Sequence, residues 1–136
     1  MGAYASLEQN AVAVFGHRGS AAGATTGTGV DTQGYSEALV LLATGNMTGT
    51  LDVKIQDSAD NSAWADVTGA AFAQIPNTGD GTLKQARLKL DGNLVRRYIR
   101  VSSTVEAALV AEHTVTFVLC GNQYNPQTVT PVAFTV

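Results

Sequence analysis

The residues able to do chemistry are few and scattered along the chain. His17 and His113 stand nearly a hundred positions apart. His17 sits beside Arg18 in a glycine-rich stretch, a poor platform for a catalytic base, which must be held within hydrogen-bond reach of its proton. His113 falls where an alternating apolar segment begins, a setting that suits a partly exposed or hydrogen-bonded structural imidazole. Cys120 is the single cysteine, so no internal disulfide can form and no second thiolate exists for a zinc site. Its place at the end of an apolar segment points to inert packing. Asp57, Asp60 and Asn61 crowd one polar turn. The alternating D-x-[DN]-x-[DN]-G order and bidentate Glu of a calcium loop are missing there, and an Asx turn is the simpler product. Phosphate-loop and nucleophile-elbow patterns do not occur. The eleven acidic residues fall mostly in turns or on outward strand positions, which gives no support to a carboxylate pair of the glycosidase kind. The expectation is a protein that is not an enzyme and takes no metal and no cofactor.

The elements that would carry these residues are strands. Leu51, Val53 and Ile55 alternate with Asp52, Lys54 and Gln56, the period-2 signature of a half-buried strand. The polar turn Asp57 to Ser62 follows, and Trp64 to Val67 resumes the sheet with Trp64 expected in the core. Upstream, Tyr35 to Thr44 holds the apolar run Ala38-Leu39-Val40-Leu41-Leu42-Ala43, closed by Gly45-Asn46. Leu83 to Leu90 alternates again, with Ala86, Leu88 and Leu90 on one face, and Asp91-Gly92-Asn93 is a strong turn. Tyr98 to Val101 and Thr114 to Cys120 complete the pattern. Val105 to Glu112 is the single candidate for a helical turn. Short strands at regular spacing, separated by Gly, Asp and Asn clusters, predict an all-β sandwich or jelly roll over residues 35–121.

Two flanks differ in texture. Residues 1–34 are rich in small residues, with only Ala11 to Phe15 strand-like, and predict an extended glycine-rich N-terminal arm. Residues 122–136 form a polar, proline-marked C-terminal tail ending Val132-Ala133-Phe134-Thr135-Val136. Apolar residues so late in the chain need a surface to cover, either the domain itself or a partner's sheet edge. No basic region opens the chain and no apolar segment reaches the ~20 residues of a membrane span, so neither a signal peptide nor a membrane partner is expected.

At 136 residues the chain is one domain's length and can bury a core without staples. Only 14% of residues are charged, well under the ~25% of an average globular protein. A weakly charged surface suits a protein packed against neighbours, because interface cores are depleted of charge. The net charge of −3 argues against nucleic acid, which requires a basic face to neutralise phosphates.

Two segments carry a family resemblance. Leu51 through Val67 reads as a strand, a polar hairpin turn and an aromatic-anchored strand, and Arg97-Tyr98-Ile99-Arg100-Val101 with Val115-Thr116-Phe117-Val118-Leu119-Cys120-Gly121 reads as two adjoining strands. Together they resemble small tailed-phage virion proteins, in particular capsid decoration or cement proteins with a jelly-roll-like fold. The resemblance spans roughly residues 37–121. It implies a homotrimer made in the host cytoplasm that sits on the capsid surface of the virion and bridges subunits of the major capsid protein. Aromatic and arginine anchors dominate protein interfaces, which makes Tyr4, Phe15, Arg18, Tyr124 and Phe134 the candidate contacts. A competing reading takes Gln56 to Trp64 as the strand–turn–Trp segment of a galactose-binding-like sandwich, with Trp64 as an exposed platform for a carbohydrate or receptor. Head–tail connector and tail roles fit an all-β phage protein of this size as well.

Overall fold

A computed structural model describes residues 11–90 and 94–121. Among the described residues nine strands form and there is no helix. In chain order they are β1 (Ala11–Gly19), β2 (Gly23–Thr26), β3 (Val30–Asp31), β4 (Glu37–Met47), β5 (Leu51–Ser58), β6 (Ala65–Ala71), β7 (Leu83–Lys89), β8 (Tyr98–Val105) and β9 (Ala111–Cys120). One sheet, called sheet A below, has the order β1-β9-β4-β7. The other, sheet B, has the order β2-β8-β5-β6, with β3 also pairing β8. All pairings are antiparallel. First strands therefore pair with last strands and inner with inner (β1 with β9, β2 and β3 with β8, β4 with β7, β5 with β6), which is the nesting of a jelly roll.

The period-2 patterns place the core. Ala38, Val40 and Leu42 from β4 and Val115, Phe117 and Leu119 from β9 point inward from sheet A. Leu51, Val53 and Ile55 from β5 and Ile99 and Val101 from β8 meet them from sheet B. Phe117 is the largest fully buried side chain and lies at the centre of this layer.

Several expectations need correction. Residues 11–31 are no extended arm, because β1 joins sheet A and β2 and β3 join sheet B. Their small residues concealed this: β2, Gly23-Ala24-Thr25-Thr26, exposes every residue and is held by backbone pairing to β8 rather than by an apolar face. Val105 to Glu112 is no helical turn. It is the hairpin between β8 and β9, closed by the Leu109 N–H donating to the Glu106 carbonyl at 3.2 Å with Ala108 at φ 63°. Trp64 lies outside the strands and only half-buried, not in the core. In β7 only Leu88 is buried, and Ala86 is exposed, because β7 is an edge strand. Tyr4, Tyr124, Phe134 and the tail lie outside the described residues.

Candidate functional site

Sheet alternation gives each sheet an outer face, and the two outer faces differ in chemistry. Outward residues of sheet B are Asp52, Lys54 and Gln56 on β5 and Tyr98, Arg100, Ser102 and Thr104 on β8. These knit a polar surface. Lys54 Nζ and Gln56 Nε2 both donate to the Asp66 carboxylate at 2.9 Å, and Arg100 Nε donates to Gln56 Oε1 at 2.9 Å. The Arg100 guanidinium also stacks over the Trp64 ring, 4.5 Å from its centroid. One face of that indole is therefore covered by a cation.

The outer face of sheet A is apolar. Register across its four strands gives rows Ala11–Cys120–Glu37–Lys89, Ala13–Val118–Leu39–Arg87, Phe15–Thr116–Leu41–Gln85 and Arg18–Thr114–Ala43–Leu83. Charge is confined to the margins, at Arg18, Glu37, Arg87 and Lys89. Leu39 and Leu41 are half-buried at the centre, while Phe15 and Leu83 at the sides are 61% and 80% exposed. Two of the expected contact residues, Phe15 and Arg18, thus come together on one surface. The run Ala38 to Ala43 carries the signal: an uninterrupted apolar strand is the pattern of a sheet covered on both faces.

A bulge in β1 organises this edge. Phe15 pairs with outward Thr116, but His17 pairs with inward Val115, so the register shifts between them. In unbroken register His17 would pair with Thr114 and point outward like Phe15, and bulges re-aim side chains in this way. Gly16 is what the bulge requires, because a Cβ there would lie 2.9 Å from the Val115 carbonyl oxygen and 3.0 Å from the Phe117 ring.

His17, turned inward, meets His113, their ring centroids 5.4 Å apart. The two histidines, nearly a hundred positions apart in sequence, form one buried cluster. His113 Nδ1 lies 2.7 Å from the Ala111 carbonyl oxygen, to which it can only donate. Its Nε2 is then an acceptor, at 3.0 Å from the Ser103 hydroxyl. His17 Nε2 lies 3.0 Å from Thr25 Oγ1 and 3.1 Å from Ser103 Oγ, and the two hydroxyls are 3.0 Å apart. A one-way chain satisfies these groups: His17 Nε2–H to Thr25, Thr25 O–H to Ser103, Ser103 O–H to His113, and His113 Nδ1–H to Ala111. Burial lowers the pKa of both imidazoles, with the other ring's charge adding to the effect at His17. Gly19 belongs to the cluster, since a Cβ there would sit 3.1 Å from His113 Nε2 and 3.2 Å from His17 Nε2. Ser103 is 1% exposed, so a substrate carbonyl cannot reach its hydroxyl, and the Ser–His pair serves structure. Two imidazoles and two hydroxyls also fall short of a zinc site's four strong ligands. No group of three His, Cys, Asp or Glu side chains suited to a metal occurs among the described residues.

The acidic turn is occupied by its own hydrogen bonds. Asp60 Oδ1 accepts from the Ser58 hydroxyl at 2.9 Å and from the Ser62 and Ala63 N–H groups at 3.0 Å, an Asx-type arrangement. Asp57, buried in sheet B, takes the Arg96 guanidinium at 2.7 Å and the Arg96 N–H at 2.9 Å. Burial pushes its pKa up, but these hydrogen bonds together outweigh burial and hold it below the usual carboxylate value. A third feature is a cleft of about 310 Å³ between the edge strands β6 and β7, lined by Val40, Ile55, Val67, Phe72, Leu88 and Val95 among others. Its lining is mainly apolar, with Thr68, Arg87 and Lys89 as its polar side chains.

No family model matches the chain, and no curated protein matches it in sequence. Among solved structures it is similar to the PBSX exported protein XepA, with a TM-score of 0.59 and 15% identity over 92% of this chain. The chain spans only 42% of XepA's own length. It is also similar to the SPBc2 prophage-derived protein YomS, with a TM-score of 0.54 and 13% identity over 82% of this chain and 94% of that one. At such identities the likeness concerns the fold.

Proposed function

We propose that this protein is a structural component of a phage virion, a capsid decoration protein that binds the major capsid protein and carries no catalysis. The observation that carries this reading is the asymmetry of the sandwich. A polar, internally hydrogen-bonded face of sheet B suits solvent, whereas sheet A presents Phe15, Leu39, Leu41, Val118 and Leu83 on one surface with charges only at its margins. A contiguous exposed apolar patch rimmed by polar residues marks a protein-contact surface. YomS, a prophage-derived protein by its name, has this fold, which agrees with the phage assignment. In this reading the apolar face of sheet A seats on the assembled capsid lattice and stabilises that state by mass action. A homotrimer multiplies each contact through effective concentration. Neither nucleic acid nor membrane takes part.

The test is co-sedimentation of the purified protein with capsids that lack it. Wild-type protein should saturate a fixed number of sites, and Leu41→Lys, at the centre of the apolar face, should lose binding while keeping its β-sheet circular dichroism. Undiminished binding by that variant would move the contact to another surface. Specific retention on a glycan array, abolished by Trp64→Ala, would replace the capsid reading with the carbohydrate one.

A further inference from the structure

The strands β1 and β2 are attached to the jelly roll mainly by backbone pairing. Among the described residues each is an edge strand, β1 paired only with β9 and β2 only with β8, and the short connection 20–22 joins them. Neither contributes a fully buried apolar side chain to the core. Val12 and Val14 are half-buried, and the only buried positions in the two strands are Gly16 and His17. His17 is therefore the one deeply buried side chain that pins this pair, and it does so through Thr25 of β2, Ser103 of β8 and His113 of β9. Four strands from both sheets converge on that network.

The network tolerates neutral imidazoles and penalises charged ones. Neighbouring charges point away from it. Arg18 on β1 and Glu112 on β9 lie on the outside of sheet A. Asp52 and Lys54 on β5 and Arg100 on β8 lie on the outside of sheet B. The nearby polar positions on β2 and β4 are the neutral Thr25 and Thr44. With no carboxylate facing the rings, two imidazolium ions 5.4 Å apart would repel each other in a site shielded from water.

We propose that the His17–His113 pair is an acid-sensitive latch: protonation frees β1 and β2 together from the jelly roll while β3 to β9 remain folded. The inference is independent of which partner the apolar face takes. It has a consequence for that face, because Phe15 and Arg18 ride on β1 and leave the surface with it.

The sign follows from linkage. His17 is neutral in the latched state and, carried out on β1, titrates near 6.5 once exposed. Latching is complete above that value and weakens as pH falls below it, since the open state then binds more protons. One imidazole that stays neutral when latched favours opening about 30-fold more at about pH 5 than well above 6.5.

Native-state hydrogen exchange of the full chain is the test. Corrected for intrinsic exchange rates, amides of β1 and β2 should lose about 30-fold in protection between about pH 7.5 and pH 5, while those of β4 and β5 keep theirs. His17→Gln should remove that pH dependence. Should the variant fail to fold, the wild-type imidazole resonances of His17 and His113 decide, because a latch requires them to titrate in step with the loss of β1 and β2 protection. Unchanged protection at low pH overturns the proposal. So does protection lost equally across all strands, or pH dependence surviving in His17→Gln.

Discussion

Gly16 occupies a position where side-chain volume is forbidden by its partners rather than by its dihedral angles. A Cβ would press on the Val115 carbonyl and the Phe117 ring, both within the packed centre of sheet A. Gly16→Val should destabilise the protein by about 1–3 kcal/mol through overpacking, read as a lower midpoint in thermal denaturation. Asp57 is a second position with a defined sign. Its pKa is depressed in the folded state, so its contribution is present above the unfolded value of about 3.9 and is lost as pH falls through the folded one. Asp57→Asn should cost about 1–3 kcal/mol at neutral pH, the range for a hydrogen-bonded charge. Urea titrations at decreasing pH should show the gap to wild type closing below about pH 4. The histidines, by contrast, act between neutrality and pH 5, which separates the two groups experimentally. Neither residue's role could be read from its neighbours in the chain, because Arg96 lies 39 positions from Asp57 and His113 farther still from His17.

Among the elements, β9 and β4 are the spine of sheet A, and β9 carries Phe117 at zero exposure. Phe117→Ala should cost about 3–5 kcal/mol, a large share of the stability of a domain this size, with chemical denaturation as the measure. β5, β7, β8 and β9 were legible because burying one face imposes alternation, and β4 because of its unbroken apolar run. β2 was not, since all four of its side chains are exposed and its pairing uses backbone groups that every residue type supplies. β1 was half legible. Ala11 to Phe15 read as a strand, but the bulge at Gly16 breaks the alternation, turning Phe15 outward and His17 inward. The unbroken run Ala38 to Ala43 was visible in the sequence, and only its register beside β7 and β9 shows which of its residues face the core and which face outward.

At the scale of the molecule, the contrast between a polar and an apolar outer face sets the expected behaviour in solution. A protein that keeps Phe15 and Leu83 exposed should associate, and the trimer reading predicts a light-scattering mass of three times 14.1 kDa. Leu41→Lys should shift that mass to the monomer if subunits share the face, or leave it trimeric if the face is reserved for the capsid. A monomeric wild type would count against the symmetric clamp.

The sequence by itself determined the fold class, the core strands, the turn at Asp57 to Ser62 and the low surface charge. Each of these follows from local period and composition, which act over a few residues. It also offered Phe15 and Arg18 as candidate contacts, and the structure puts both on the outer face of sheet A. Only the tertiary structure decided that β1 to β3 belong to the sheets, that Trp64 lies under Arg100 instead of in the core, and that His17 and His113 share one hydroxyl. These depend on strand order and on a single inserted residue in β1. A one-residue change of register exchanges the two faces of a strand, and nothing in the local sequence of β1 records which strand it will pair with.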